Sequence, residues 1–417
     1  MTTNAMKPGA PLAGGRRAGL AALARVRPRA YGRTRNFLDG AVTRLSAYLR
    51  HGIIGLAETR DAVVRAGTRA DVDKLVRELG WRDYYVRLRA ALGERVWDDL
   101  EAYKTGFAAH AYAQEVPDDV ASGTTGAACI DGFTRELADT GYLHNHARMW
   151  FASYLVHWRR VRWQAGAAFF LRHLLDGDVA SNNLSWQWVA STFSHKPYFF
   201  NRDNLERYTG GTYCAACPLA AGGCPFDASY AALAERLFPS GERAVAAIAA
   251  PSLRVPADEP FVPRAVPERA IVWHHDESLS RDDAARTFAP GAPAMFVWDA
   301  EARRRDPWSA ARERFVGEAI AELDLARESR GDTAREVAAF AEERGATAIV
   351  AVEPVDPHLR AIARDLAARF DVILVPAPRF AVLDRPVDLR RYSRYWAKAE
   401  RTAFGTPSQT DLGITTM

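Results

Sequence analysis

Residues 171–192 read LRHLLDGDVASNNLSWQWVAST. Within thirteen positions this run carries two carboxylates (Asp176, Asp178), two carboxamides (Asn182, Asn183) and two indoles (Trp186, Trp188). Carboxylates and amides hydrogen-bond a polar heterocycle, while indoles stack on flat rings or carry an electron. A plain buried helix explains the run less well, because four polar residues at that spacing would all need partners.

The chain has 417 residues, 48% hydrophobic and 25% charged, enough for two or three domains with proper cores. No apolar run reaches the ~18 residues of a membrane helix. The Arg- and Ala-rich N-terminus lacks the hydrophobic stretch of a secretory signal. A cytoplasmic protein that does not enter a membrane is expected, as a monomer. Net charge is +4, but residues 1–50 hold ten Lys/Arg against one acid, Asp39. Such a segment suits a phosphate-bearing partner, either a cofactor or DNA; residues 1–15 read better as a solvated, disordered tail.

Residues 16–249 show helical periodicity, for example Leu75 with Leu79 and Tyr85 with Leu88 and Leu92. Breaks fall at Thr105-Gly106, Ser122-Gly123 and Gly210-Gly211. Residues 250–268 are Pro-rich and read as a linker. Over 269–380 short apolar runs (270–273, 294–298, 348–352, 372–375) alternate with helical stretches (311–326, 333–344, 357–369). That alternation predicts a parallel sheet covered by helices. No G-x-G-x-x-G follows the first run, so an ordinary dinucleotide site is not supported there. Residues 381–417 form a C-terminal helix, amphipathic over 388–404, and a tail. The fold class is therefore multidomain: an all-helical N-terminal domain and a C-terminal parallel α/β domain.

The DGDVASNNLSWQW run resembles the flavin-binding core of the photolyase/cryptochrome family, D-G-D-x-A-x-N-N-x-x-W-x-W. Other segments extend the resemblance. Tyr31-x-x-x-Arg35 followed by Thr43-Arg44-Leu45-Ser46 resembles the T-S-R-L-S loop that holds FAD phosphates at helix N-termini. Position 42 departs, with Val in place of a hydroxyl residue, and Thr43 or Ser46 could equally be helix caps. Glu78-Leu-Gly-Trp81-Arg-Asp-Tyr-Tyr resembles N-E-L-x-W-R-E-F-Y, whose Glu and Trp face the DNA lesion. Three residues apart, Glu78 and Trp81 share one helix face. Gly141-Tyr-Leu-His-Asn145-His-Ala-Arg148-Met149 resembles G-W-[ML]-H-N-R-x-R-M. It implies Arg148 over the flavin, paired with Asp176, and Asn145 and Met149 in a lesion pocket of the cyclobutane-dimer type. His146 stands where the family has Arg. Trp163-Gln-Ala-Gly166 and Trp186 match two members of the family's tryptophan electron chain. The third falls near His110, which is not redox-active; Tyr112 or Trp158 could substitute.

The opening IVWHHDESLSRDDAA (271–285) resembles the start of the family's α/β antenna domain. In the family that domain comes first. Here it comes second, so the resemblance implies a circular permutation and a Rossmann-like α/β domain, with a possible antenna chromophore of unknown identity.

Four cysteines stand at Cys129, Cys214, Cys217 and Cys224. The C-x2-C-x6-C-P spacing suits iron–sulfur ligation, with zinc the competing reading. Disulfides are disfavoured in a cytosolic chain. One bacterial branch of the family carries a [4Fe-4S] cluster on T-G-x-x-C, then C-x2-C, then C-P-F, which Thr125–Cys129 and Gly223–Phe226 resemble. That branch mostly acts on 6-4 photoproducts, whereas the flavin run is of the cyclobutane type. The resemblance implies a light-driven DNA photolyase. FAD would sit among Tyr31, Arg35, Thr43, Arg44, Leu45, Ser46, Arg148, Asp176, Asp178 and Asn182. Glu78, Trp81, Asn145, Met149, Asn182 and Trp188 would act at the lesion, and Trp186 and Trp163 would supply electrons. UV-damaged DNA, single- or double-stranded, is the implied partner. Two rivals remain: a cryptochrome-like blue-light receptor without repair, and a light-independent iron–sulfur or nucleic-acid-binding protein.

Overall fold

The computed structural model describes residues 11–238, 252–262 and 265–405. The expected tails at 1–10 and 406–417, and parts of the expected linker, lie outside the described residues.

The first half is helical. Four helices, α1 (Arg16–Ala24), α2 (Pro28–Thr34), α3 (Ser46–Arg50) and α4 (Leu56–Arg65), lead to α5 (Arg69–Leu92), which runs for 24 residues. Thr68 starts α5: its hydroxyl accepts from the Asp71 amide at 3.4 Å, and the Asp71 carboxylate accepts from the Thr68 amide at 3.3 Å. Gly93, at φ +57°, ends it. There follow α6 (Asp118–Ala121), α7 (Ala128–Thr140), α8 (Asn145–Ser153), α9 (Trp163–His173), α10 (Val179–Ala190), α11 (Arg202–Thr209) and α12 (Tyr230–Leu237). Helix α10 packs on α5, α8 and α9. The core it shares with α8 and α9 holds Trp150, Trp163 and Phe151, all fully buried.

The second half is built on a parallel sheet of five strands, β2 (Ala270–His274), β3 (Ala294–Asp299), β4 (Arg327–Gly331), β5 (Ala348–Val352) and β6 (Asp371–Val375), in the order β4-β3-β2-β5-β6. The helices are α13 (Ala284–Phe288), α14 (Ala300–Arg305), α15 (Ala310–Ile320), α16 (Thr333–Glu343) and α17 (Pro357–Ala367). Central strands β2 and β5 are buried on both faces, which is why they read as unbroken apolar runs. Ile271, Trp273 and Ile349 pack on one side with Val337 and Leu366; Val272 and Val350 pack on the other with Ala285.

Strand β4 lies within no apolar run; the helix expected over 311–326 ends at Ile320 instead. Its sequence, RESRG, is polar because it forms the sheet edge and alternates between exposed and half-buried positions.

The segment read as a linker is tied down where it is described. Arg254 and Val255 (β1) pair antiparallel with Val387 and Asp388 (β7). Arg87 donates to both Asp258 carboxylate oxygens at 2.8 and 3.0 Å. Residues 11–15, read as tail, are also engaged: Leu12 is buried and the Gly14 amide donates to Glu318. Helix α18 (Tyr392–Phe404) returns to the first half and packs on α5. Gly80 permits this approach, since a Cβ there would lie 2.5 Å from the Trp396 ring.

Candidate functional site

Asp176 and Asp178 stand where the loop after α9 turns into α10. Asp178 caps α10, accepting from the Ser181 amide at 2.7 Å, and pairs with Arg82 of α5 at 3.2 Å. Asp176 is buried and takes both guanidinium nitrogens of Arg148, at 3.0 and 2.9 Å. Arg148 is held in turn by the Leu143 carbonyl at 2.8 Å. Burial alone would raise both carboxyl pKa values, but the Arg148 charge at Asp176 and the Arg82 charge at Asp178 hold them below the usual range. The turn itself is fixed by its backbone: Arg50 and Arg312 donate to the Gly177 carbonyl at 3.2 and 3.0 Å.

The loop 43–46 meets this turn. Ser46, the first residue of α3, helps hold the Asp176 carboxyl pKa down, and Leu45 is buried at the cap. The Thr43 hydroxyl accepts from the Leu45 amide at 3.4 Å. Arg44 adopts φ +54° and lays its guanidinium over the Tyr142 ring at 4.5 Å. Its Nη1, Asn183 Nδ2 and His144 Nε2 are buried without a hydrogen-bond partner among the described residues. Buried donors of this kind are seldom left unpaired. Asn182 donates to the Ala167 carbonyl and to Asn183 Oδ1, both at 3.1 Å.

Other expected residues lie on α2, α5, α8 and α10. Glu78 pairs with Arg35 at 3.3 Å and Lys74 at 2.8 Å. Burial and then the nearby Glu78 charge push the Tyr31 phenol up, although Arg35 bonds it. The end of α2 touches the start of α8, where His146 Nδ1 lies 2.7 Å from the Asn36 carbonyl. His146 also stacks on Trp150 at 4.7 Å. Asn145 is exposed and its amide reaches the Met149 sulfur at 3.6 Å. Trp188 is 41% exposed and 5.4 Å from Tyr198. Trp81 stacks face to face on Tyr392 of α18, centroids 3.8 Å apart, so one of its faces is covered.

Trp163 and Trp186 are both buried, and Gly166, on the helix of Trp163, packs against Trp186: a Cβ there would lie 2.3 Å from the Trp186 ring. Of the substitutes expected for a third member, Trp158 bonds the Pro225 carbonyl at 3.1 Å, and Tyr112 stacks on Tyr103 at 4.5 Å.

Cys129, Cys214, Cys217 and Cys224 line one small cavity with Ala127, Arg202, Leu205, Tyr213, Leu219 and Phe226. Burial pushes Cys129 up to about 12 and Cys214 up to about 11. A bound metal would deprotonate them outright. Among the described residues no group of three or more His, Cys, Asp or Glu side chains is arranged to hold a metal ion. A tetrahedral zinc would draw its sulfurs to within about 4 Å of one another; a four-iron cluster holds its thiolates wider apart.

Arg82, Arg50 and Arg312 were not singled out by sequence, because their partners lie 96, 127 and 135 positions away.

Residues 75–209 match the family model described as the FAD binding domain of DNA photolyase. The chain is 38% identical over 154 residues to the deoxyribodipyrimidine photo-lyase of Streptomyces griseus, covering 36% of this chain and 32% of that one. It is 31% identical over 206 residues to the enzyme of that name from Vibrio cholerae, covering 44% and 40%. This chain therefore spans about a third of the length of the curated relatives it matches. Among solved structures it is similar to a cryptochrome of Synechocystis sp. PCC6803, at 26% identity and TM-score 0.44 over 51% of this chain and 47% of that one. It is also similar to a class III photolyase from Agrobacterium tumefaciens, at 23% identity and TM-score 0.42 over 54% of each. Among the described residues no helix is long and apolar enough to cross a membrane.

Proposed function

We propose that the protein is a light-dependent DNA photolyase that splits UV-induced pyrimidine dimers. The observation that carries this reading is the meeting of the 43–46 loop, the Arg148–Asp176 pair and the Asp178-capped start of α10 at one turn, with Arg44 Nη1, His144 Nε2 and Asn183 Nδ2 of these same segments buried without partners among the described residues. Those donors fit a flat, polar, phosphate-bearing group. Tyr31, Arg35, Thr43, Arg44, Leu45, Ser46, Arg148, Asp176, Asp178 and Asn182 would hold FAD. When bound and reduced, FAD supplies one electron to a dimer under blue light and takes it back after cleavage.

The protein's own groups then have separate tasks. Arg148 and Asp176 form a fixed ion pair beside the ring system, and Arg82 with Asp178 fixes the helix from which Asn182 projects. Glu78 offers a carboxylate to a pyrimidine edge, and Trp81 and Trp188 offer ring faces on which a flipped-out base can stack; flipping costs a few kcal/mol and stacking returns about 1–3 per base. Asn145 and Met149 complete that face. Trp163 and Trp186 carry electrons. Cys129, Cys214, Cys217 and Cys224 hold a [4Fe-4S] cluster of structural role. The second half is a permuted, Rossmann-like antenna domain; the strand order, first strand central, is that of doubly wound sheets.

Glu78→Ala tests the lesion face. It is expected to retain flavin but to lower light-dependent repair of dimer-containing DNA; repair equal to wild type would remove Glu78 from the pocket.

A further inference from the structure

We propose that Trp97 is the outermost member of the electron relay, which runs Trp97, Trp163, Trp186, and that Asp99 is its positioning residue. The proposal rests on the flavin reading above. Trp97 lies on the 3-10 turn Gly93–Trp97 that follows α5, and is half-buried. Its ring is nearly parallel to that of Trp163, at 11°, with centroids 6.4 Å apart. Trp163 is fully buried, and Gly166, one turn along the same helix, meets the Trp186 ring. Electron transfer falls steeply with distance; the Trp97–Trp163 stack and the packing of α9 on α10 at Gly166 put the three indoles in series between α10 and half-buried Trp97.

The turn that carries Trp97 is bolted in place. Gln187 donates to the Val96 carbonyl at 3.2 Å and accepts from the Leu100 amide at 3.1 Å. Gln164 donates to the Trp97 carbonyl at 3.3 Å and to Asp99 at 3.2 Å. The Trp163 indole N–H donates to Asp99 Oδ1 at 2.6 Å. A carboxylate there stabilises positive charge on Trp163 while that ring is the donor, and holds it parallel to Trp97.

In the competing exit, Tyr103 with Tyr112, neither hydroxyl is hydrogen-bonded to a base among the described residues. A tyrosine must lose its phenolic proton when oxidised. The Tyr112 hydroxyl meets only the Thr105 hydroxyl, at 2.6 Å, and the Tyr103 hydroxyl is buried with no partner among the described residues. An indole can pass an electron without losing a proton first.

The steps balance. Trp186 gives one electron to the bound flavin under blue light, Trp163 refills Trp186, and Trp97 refills Trp163. The positive charge reaches Trp97, which releases its indole proton to water. A soluble thiol then returns one electron and one proton, and two thiyl radicals so formed couple to a disulfide.

The test uses the oxidised, flavin-containing protein with thiol. Flash transient absorption follows the tryptophan radical, and steady blue light follows loss of the oxidised flavin band. Trp97→Phe is expected to lose the long-lived radical signal and to photoreduce far more slowly. Trp97→Tyr is expected to recover part of both, and Tyr112→Phe to match wild type. Asp99→Asn is expected to shorten the radical lifetime while the protein keeps its flavin. Wild-type radical lifetime and photoreduction in Trp97→Phe, or their loss in Tyr112→Phe, would overturn the relay and leave the flavin reading standing. A wild-type protein purified without flavin would sink both.

Discussion

Asp176 shows what a single side chain does here. Its two bonds to Arg148 make the carboxylate form the favoured one despite burial. A depressed carboxyl pKa contributes stability above the unfolded value of about 4, which is lost as pH falls through the folded one. Asp176→Asn strands Arg148 and is expected to cost about 3–5 kcal/mol; thermal melts across pH 3–7 should show a smaller acid-side loss than in wild type, and the flavin absorbance of the purified variant should fall. Glu277 has the opposite sign. Burial pushes it up to about 7, against the pull of Arg50, while its carboxylate accepts from the Val355 amide at 2.7 Å. The folded state then binds more protons than the unfolded one between about pH 4.5 and 7, so this group weakens the fold as pH rises through that window. Glu277→Gln is expected to flatten that slope and to melt higher than wild type at pH 8; a lower melting point would contradict the assignment. The Asp176–Arg148 pair was legible because both ends lie in ordered motifs. The Arg82–Asp178 pair was not: nothing in a linear chain joins positions 96 residues apart.

At the scale of elements, periodicity pointed to a helical first half, most plainly within α5, and unbroken apolar runs marked the buried strands, because such runs must be covered. It failed at β4, where the edge of a sheet has little apolar burial to signal. It also left the C-terminal helix without a place. The docking of α18 depends on Gly80, an unremarkable residue in a helix until Trp396 fills the space beside it. Trp396 is 5% exposed, and Trp396→Ala is expected to cost about 3–5 kcal/mol in urea unfolding. Tyr392 stacks on Trp81 in the same contact, so loosening α18 should also disturb the Trp81 ring.

For the whole molecule, the two halves form a continuous body. Tyr48 and Ile54 of the helical half share a core with Phe296 and Phe315 of the α/β half, and Arg50 reaches across to Asp276 at 3.4 Å. The turn at 176–178 therefore rests on both halves, through Arg50 and Arg312. The cysteines converge on one cavity, although they are spread from position 129 to 224. Iron and acid-labile sulfide are expected in anaerobically purified protein, and both should be lost in Cys217→Ser; zinc in their place would rule out the cluster. The combination of functions is tested most directly by repair itself. Dimer-containing DNA is incubated with reduced protein under blue light and in darkness, and the remaining dimers are counted by chromatography. Loss of dimers under light, and none in darkness, is the expected result; equal dimer content in both arms, with flavin present and reduced, would contradict the photolyase reading.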